Sequence, residues 1–273
     1  MDWSAYEHLA FSFPSEGVLL IKFNRPDRYN AMNQRMHTEV SEVWLDVDRD
    51  PDCRVAVVTG EGKAFSAGGD FDMVEATLGV YGHIPRLVKE AGDIVHNITN
   101  ISKPVISAIN GTAVGAGLAV ALVADISIIN EDTKFTDGHH RIGVAAGDHA
   151  AFIWPLLCGM AKARYYLLTN EFIDGREAER IGLVSKAVPA ADVLPTALRI
   201  AEGLAAGPRD AIAVTKRTLN HWLRMATPIF EQALVAEMMQ FFSPDAREGY
   251  EAMQEKRPPK FPSNVIPGAM THG

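Results

Sequence analysis

Short apolar runs alternate with longer stretches of mixed polarity over the first two thirds of the chain. Five runs rich in β-branched residues predict strands at residues 17–23, 54–59, 105–109, 126–129 and 183–188. Between the first two, residues 34–48 carry apolar side chains at helical spacing and predict an amphipathic helix. Residues 71–97 are less regular, because Gly79, Gly82 and Pro85 interrupt the pattern. Strands that alternate with helices predict an α/β core.

From about residue 191 the pattern is helical alone. Four stretches predict helices at residues 193–205, 209–223, 227–242 and 245–255, so the chain divides into a core, 1–190, and a helical region, 191–273. Pro195, Pro208 and Pro228 lie at or near the starts of three helices, where a missing N–H group costs little. The third helix ends in large apolar side chains that predict either core packing or a subunit interface: Met238, Met239, Phe241 and Phe242.

Composition and charge narrow the class of protein. A chain of 273 residues with 47% hydrophobic content can bury a sizeable core. The net charge of −8, without a basic block, argues against nucleic acid or an anionic membrane as a partner. No apolar run approaches the roughly 20 residues that span a bilayer, and the first residues do not resemble a signal peptide. We therefore expect a cytoplasmic protein.

Two glycine-rich turns carry the clearest candidate chemistry. Residues 64–70 (AFSAGGD) and 110–117 (NGTAVGAG) each follow a predicted strand. The second turn leads into the apolar run 118–124, which predicts a buried helix that begins near Ala116. A helix N-terminus has unpaired N–H groups and a partial positive charge, and both suit a developing oxyanion.

With three further motifs, these turns make the chain resemble the crotonase superfamily, which includes enoyl-CoA hydratases, enoyl-CoA isomerases and some carbon–carbon bond hydrolases. The further motifs are FNRPDRYNAM at 23–32, AERIGLV at 178–184 and EKRPPKF at 255–261. The resemblance covers nearly the whole chain and implies a crotonase (ClpP-like) spiral of ββα units with a C-terminal helical region. In relatives, that region serves assembly into trimers or dimers of trimers and closure of the coenzyme A pocket. The segment that matches 71–97 lines their acyl pocket.

The resemblance also implies an oxyanion hole. Relatives that process acyl-CoA thioesters bind the thioester oxygen with two backbone N–H groups, and the motifs place these donors on Gly69 and Ala116. Small residues at both positions let the backbone approach a ligand closely. Hydratases of the superfamily also carry two glutamates that activate water, but the matching positions here hold Ala119 and His139. The two-glutamate hydration mechanism is therefore not available to this chain.

Titratable residues within thirteen positions replace the glutamates: Asp137, His139, His140, Asp148 and His149. Because a carboxylate fixes the tautomer of an imidazole and raises its basicity, His139 and Asp148 are the candidate catalytic residues. They would act as a coupled pair or as independent groups on either side of a substrate. Alternatively, His140 and His149 are surface residues and Asp148 caps a helix that begins near Ala150. The sequence shows no third convergent ligand, and we expect no metal ion.

Coenzyme A is expected as part of the substrate, and no separate cofactor is expected. The residues that match the coenzyme A site of relatives are Arg28, Ser66, Ala67, Asp70, Lys256 and Lys260. A cation that reaches the phosphates would compensate for the acidic chain, although Arg28 and the two lysines equally fit solvated surface charges.

Three functions share these features. The resemblance implies first an acyl-CoA enzyme of the hydratase/isomerase type, a lyase or isomerase of fatty acid metabolism. The alternative is a carbon–carbon hydrolase of a β-dicarbonyl compound, because relatives that use this retro-Claisen route carry a histidine and an aspartate at comparable separation. There, His139 would activate water and Asp148 would handle the enolate proton. A non-catalytic acyl-CoA binder is the third function; Ala119 favours it, and the pair of His139 and Asp148 disfavours it.

Overall fold

A computed structural model describes residues 1–264. Its strands are β1 (Leu9–Ser15), β2 (Val18–Phe23), β3 (Val55–Gly60), β4 (Val105–Ile109), β5 (Ile126–Asn130), β6 (Lys134–Phe135), β7 (Ile173–Asp174) and β8 (Lys186–Val188). The main sheet has the order β1-β2-β3-β4-β5-β8, and β6 pairs with β7 in a small second sheet. In the main sheet β1 runs antiparallel to β2, and all other pairs are parallel. This α/β architecture confirms the predicted fold class.

The helices surround this sheet and extend beyond it. They are α1 (Gln34–Arg49), α2 (Phe71–Thr77), α3 (Ile84–Asn100), α4 (Gly115–Val123), α5 (Ala150–Thr169), α6 (Gly175–Arg180), α7 (Val193–Ala205), α8 (Arg209–Leu219), α9 (His221–Gln240) and α10 (Pro244–Gln254). Helix α5 is kinked at Gly159, which has a φ of 77°. Within residues 1–264, none of the helices has the length and apolar character needed to cross a membrane.

Both faces of the main sheet are buried, as is usual for parallel strands. Successive side chains of β2 point to opposite faces, so that Leu19 and Ile21 join the larger apolar cluster and Leu20 joins the smaller one. Helix α7 covers the smaller cluster with small side chains such as Ala197 and Ala201. The larger cluster takes in α1, α3, α4 and much of α9, so the C-terminal helices share a core with the sheet.

Two predictions of secondary structure were wrong. Gly79 and Gly82 do interrupt the segment 71–97 between α2 and α3, but Pro85 does not, because it lies in the first turn of the 17-residue helix α3, where proline is tolerated. Pro228 lies inside α9 rather than at its start, since that helix begins at His221. Strand β1 was not predicted; it is an edge strand whose pattern of buried and exposed residues is irregular.

The apolar residues at the end of α9 face the core on one side and solvent on the other. Met238 and Phe241 are buried, whereas Met239 is 61% and Phe242 39% exposed. Core packing therefore accounts for only half of this apolar group.

Candidate active site

The two glycine-rich turns run side by side from a shared bridge between Ser66 and Ala113. The Ser66 N–H group donates to the carbonyl of Thr112, and the Val114 N–H group donates to the carbonyl of Ser66, each over 3.0 Å. The Ser66 hydroxyl is fully buried and donates to the Asn30 carbonyl over 2.8 Å. Backbone bonds therefore hold the turns together, and the Ser66 hydroxyl, predicted to contact coenzyme A, joins the first turn to the N-terminal motif instead of facing solvent.

The close approach of the turns requires glycine. A Cβ atom on Gly117 would overlap the Cβ of Ser66, and one on Gly68 would lie 3.1 Å from the carbonyl oxygen of Val114. Each of these contacts joins one turn to the other, so a larger residue at either position would push the turns apart.

Gly69 and Ala116, the two predicted oxyanion donors, come next on their respective turns. Each lies three residues beyond the bridge, so the two residues occupy matching positions on turns that run side by side. Met32 bonds with the residues on either side of Gly69, and this pairing directs the Gly69 N–H group away from Met32. Ala116 lies in the first turn of α4, where N–H groups have no helical partner. Within residues 1–264, neither amide donates to a protein acceptor.

The N-terminal motif is the scaffold of the first turn. Asn30 has a left-handed backbone, with φ of 55°, and its amide group donates to the carbonyls of Glu61 and Ala64 over 2.9 and 2.8 Å. Arg25 pairs with Asp70 over 3.0 Å, and Asp70 also caps α2. Asp70, predicted to contact coenzyme A, is therefore already engaged in holding the turn.

The other predicted coenzyme A residues lie nearer the surface. Ala67 is exposed, although its N–H group donates to the Tyr29 carbonyl over 3.0 Å. Arg28, Lys256 and Lys260 are exposed, and their side chains form no ion pair with another part of the described chain. Their assignment to coenzyme A stays a prediction.

His139 lies in a buried cluster of carboxylates beside the second turn. Its Nδ1 atom is 3.0 Å from Asp137 Oδ2, and its Nε2 atom is 3.4 Å from Asp148 Oδ1. A Cβ atom on Gly138 would lie 3.2 Å from the Cγ1 of Val114, so the loop that carries His139 packs on the second turn. The structure thus brings the two predicted catalytic residues together as a coupled pair.

Asp148 is the member of this pair that faces the turns. Its Oδ2 atom lies 3.8 Å from the position that a Cβ atom would take on Gly115, the residue before Ala116. Its Oδ1 atom lies 2.5 Å from His149 Nδ1, and its side chain is 11% exposed. One carboxylate oxygen therefore contacts two imidazoles, and the other lies beside Gly115 on the second turn.

Two alternative interpretations of this segment were wrong. His149 is completely buried rather than a surface residue. The N-cap position of α5 is His149, without a capping bond from a side chain, so Asp148 does not cap the helix. Its Oδ1 atom instead forms a hydrogen bond with His149 Nδ1.

Glu237 is a site residue that the sequence analysis missed. It lies on α9, about ninety positions after Asp148 in the printed sequence. It is 4% exposed, and its Oε1 atom is 3.6 Å from His139 Nε2. The helical period places it on the apolar stripe of Phe230, Leu234 and Phe241, and an acidic residue on such a stripe was the signal that would have identified it.

Mutual interactions push the pKa values in this cluster apart. Burial raises the pKa of Asp148, but His139 and His149 outweigh it and hold this pKa well below its usual range. Burial lowers the pKa of His139, but Asp137 and Asp148 outweigh it and raise this pKa well above its usual value. Burial raises the pKa of Glu237 to about 8, and His139 opposes that shift. At neutral pH, Asp148 is ionised, His139 is a cation and Glu237 is mostly protonated.

The cluster also contains a third possible metal ligand, which the sequence analysis did not identify. Single donor atoms of His139, Asp148 and Glu237 lie within 4.8 Å of one another, as do those of Asp137, Asp148 and His149. Proximity alone does not identify a metal site, because these imidazoles and carboxylates already pair with each other. The expectation of no metal ion stays a prediction.

Comparisons with known proteins identify the family of this chain. The family model described as enoyl-CoA hydratase/isomerase matches residues 14–264. A Mycobacterium bovis protein named "Probable enoyl-CoA hydratase echA12" is 31% identical over 263 residues, which cover 91% of this chain and 90% of that protein. The 4-chlorobenzoyl coenzyme A dehalogenase-2 of an Arthrobacter species is 31% identical over 210 residues, covering 76% of this chain and 75% of that protein.

A solved structure shows the same fold. The crystal structure of an enoyl-CoA hydratase/isomerase from Mycobacterium paratuberculosis superposes with a TM-score of 0.82 at 31% identity, covering 89% of this chain and 97% of that one. Since the family model spans residues 14–264, including both turns and the loop of His139, the chain belongs to the enoyl-CoA hydratase/isomerase family of the crotonase superfamily.

Proposed function

We propose that this protein acts on an acyl-CoA thioester and stabilises an enolate with the N–H groups of Gly69 and Ala116. Asp148 carries the proton transfer, and His139 holds and tunes Asp148. The observation that carries this proposal is the position of Asp148 Oδ2 beside Gly115, adjacent to one of the two candidate oxyanion donors. Family membership supports the choice of a thioester.

The proposed chemistry follows from the charges of the site. The thioester oxygen accepts hydrogen bonds from the two amides, so negative charge that develops on it is stabilised. Asp148, ionised and with one oxygen turned to this point, accepts a proton from a carbon next to the thioester carbonyl. Return of that proton to another carbon isomerises the substrate. Because both nitrogens of His139 face carboxylates, His139 acts through Asp148 rather than on the substrate directly.

One observation favours the carbon–carbon hydrolase as a second candidate. Retro-Claisen cleavage needs one group that accepts a proton from water and another that protonates the released enolate. The cluster contains both a proton acceptor and a proton donor at neutral pH, since Asp148 is ionised and Glu237 is mostly protonated. The binder is the weakest candidate, because binding alone requires no such cluster.

A substrate panel separates the candidates. Purified protein is assayed with enoyl-CoA, dienoyl-CoA, β-ketoacyl-CoA and coenzyme A-free β-diketones, and calorimetry measures its affinity for acyl-CoA esters. We expect acyl-CoA binding and turnover of a thioester, with crotonyl-CoA hydration well below the roughly 10 per second of an ordinary enzyme, because Ala119 replaces a required carboxylate. Turnover of a diketone without acyl-CoA binding would make the hydrolase the function, and binding without any turnover would leave the binder.

We also propose assembly into a trimer or a dimer of trimers. Trp222, Met225 and Ile229 on α9 are 65%, 74% and 56% exposed, an unusual amount of apolar surface for one helix. Light scattering coupled to gel filtration measures the mass at micromolar concentration. A monomer mass would contradict this proposal.

A further inference from the structure

His149 is a buried histidine that has no part in the proposed proton transfer. Its side chain is completely buried and does not contact solvent. Its Nδ1 atom is 2.5 Å from Asp148 Oδ1, and its Nε2 atom is enclosed without a hydrogen-bond partner within residues 1–264. Because an ionised carboxylate only accepts hydrogen bonds, the His149 Nδ1–H group is the donor of this bond.

The two imidazoles beside Asp148 constrain it differently. His139 Nε2 is 3.4 Å from Asp148 Oδ1, which is longer than an ordinary hydrogen bond, and it is nearly as close to Glu237 Oε1, at 3.6 Å. An N–H group that is shared between two carboxyl groups fixes the direction of neither. In the described part of the chain, His149 Nδ1 has Asp148 as its single acceptor. The bond from His149 therefore constrains the direction of Asp148 more than His139 does.

The two imidazoles also differ in their support. His139 lies on the short turn His139–Ile142, between Gly138 and Gly143, whose φ angles are 87° and 75°. His149 is the N-cap residue of the 20-residue helix α5. Groups placed by a helix are held more precisely than groups placed by a loop.

The backbone on either side of Asp148 is fixed by packing. A Cβ atom on Gly147 would overlap the carbonyl oxygen of Ala233, so Gly147 lies directly against α9. The His149 carbonyl accepts a hydrogen bond from the Ile153 N–H group, in the first turn of α5, over 2.9 Å. Rotation of the side chain is then the main freedom left to Asp148, and a bond to its Oδ1 atom limits that rotation.

As an extension of the proposed function, on which it rests, we propose that His149 is a positioning residue for Asp148. Its Nδ1–H group holds Oδ1 and thereby keeps Oδ2 beside Gly115, where Oδ2 takes a proton from the bound thioester. His149 donates this hydrogen bond before and after Asp148 has taken the proton. His149 neither gains nor loses a proton in the cycle, and it does not touch the substrate.

The test is a pair of substitutions of equal shape. Leucine and asparagine have the same branched side chain, but only asparagine has N–H groups, at about the position of the His149 Nδ1 atom. With whichever panel substrate is turned over, His149→Leu should lower kcat roughly ten- to hundredfold with little change in KM. His149→Asn should recover most of this loss. Two variants of one shape pack alike, so an asparagine variant no faster than the leucine variant would overturn the proposal.

The control substitutions are His221→Leu and His221→Asn, at an exposed histidine in the first turn of α9. Both should leave kcat and KM unchanged. Circular dichroism and melting confirm that each variant folds. Asparagine is favourable at an N-cap position, so we expect His149→Asn to fold. His149→Ala, which also lacks a donor, replaces a leucine variant that does not fold.

Crystal structures of the two His149 variants test the position of Asp148 without a substrate, and so separate this proposal from the proposed function. In His149→Leu, Asp148 should turn toward His139, its remaining partner, and its Oδ2 atom should move away from Gly115. In His149→Asn, Asp148 should keep its position. An unmoved Asp148 in His149→Leu would overturn the proposal, whatever the panel shows. A moved Asp148 supports it even if no panel substrate is turned over, a result that would contradict only the proposed function.

Discussion

The two glycine-rich turns and the buried cluster around His139 lie next to each other, but they consist of different kinds of groups. In the proposed function, the turns contribute only the backbone N–H groups of Gly69 and Ala116, and small residues at these two positions leave room for a ligand. The cluster uses side chains from a loop and from a helix far along the chain, and its chemistry depends on their charges. The first region is defined by local geometry, and the second by burial and mutual electrostatics.

This difference implies different sensitivities to substitution. Backbone donors are lost only when the turns move, whereas a side-chain cluster is lost when one atom changes. Stability also differs, because the turns are braced by hydrogen bonds to buried groups such as Ser66 and Asn30. Asp137 and Glu237 each leave one buried oxygen unpartnered within the described chain. Because buried oxygens without a partner cost stability, we expect the cluster to contribute less to the stability of the fold than the turns do.

The largest effect is expected when the cluster loses its central pair. Asp148→Asn and His139→Ala should each lower turnover by roughly two to four orders of magnitude, with ligand affinity nearly unchanged, as for general acid–base groups. The double variant should cost little more than the worse single one, because the two residues act as a unit. Steady-state kinetics and calorimetry measure both quantities. Near-normal turnover by a folded His139→Ala protein would show that Asp148 works alone.

A smaller effect is expected when the turns are pushed apart. In Gly117→Ala the added methyl group would overlap Ser66, so the turns should separate and misplace the amide of Ala116. We expect turnover to fall about ten- to hundredfold and the free energy of unfolding to fall by about 1 to 3 kcal/mol. Kinetics and denaturant melts check this. The control, Gly203→Ala in α7, has open space around the new methyl group and should not lower activity or stability; equal behaviour of the two variants would contradict the close approach.

The smallest effect on activity is expected at a second buried histidine–carboxylate pair. The hydrogen bonds of this pair go to α1 and α3, and none goes to either glycine-rich turn within the described chain. His37 Nδ1 lies 2.7 Å from Glu90 Oε2, and Arg86 and Thr38 also donate to Glu90. Burial raises the pKa of Glu90, but these hydrogen bonds outweigh it and lower this pKa to about 2. Glu90→Gln should therefore reduce the free energy of unfolding by about 1 to 3 kcal/mol at neutral pH and leave turnover unchanged.

The pH dependence of that stability difference has a definite sign. A carboxyl group whose pKa is lowered by folding stabilises the protein fully above its unfolded value of 4.5, and this contribution is lost as pH falls through about 2. The difference between the unchanged protein and Glu90→Gln should therefore shrink between those values in denaturant melts. A constant difference would show that the side chain acts by packing instead of by charge.

The sequence by itself determined the local elements. Five predicted strands, α1 and the start of α4 appear in the structure because hydrophobic periodicity follows directly from which faces are buried. The paired turns were also recognisable, since glycine at positions of close backbone approach leaves a pattern along the chain. Strand β1 was not predicted, because an edge strand has no strict alternation of apolar and polar residues. Helix α3 was not predicted, because a proline in the first helical turn looks like an interruption.

Only the tertiary structure decided which side chains meet. Nothing in the spacing of residues 137–149 showed that His149 is buried or that Asp148 turns one oxygen to His149 instead of capping α5. Glu237 joins the same cluster because α9 packs over the loop at Gly147, a contact between segments about ninety positions apart. The physical reason is that side-chain direction and desolvation arise from packing between distant elements, and these two quantities set the charge of every group in the site.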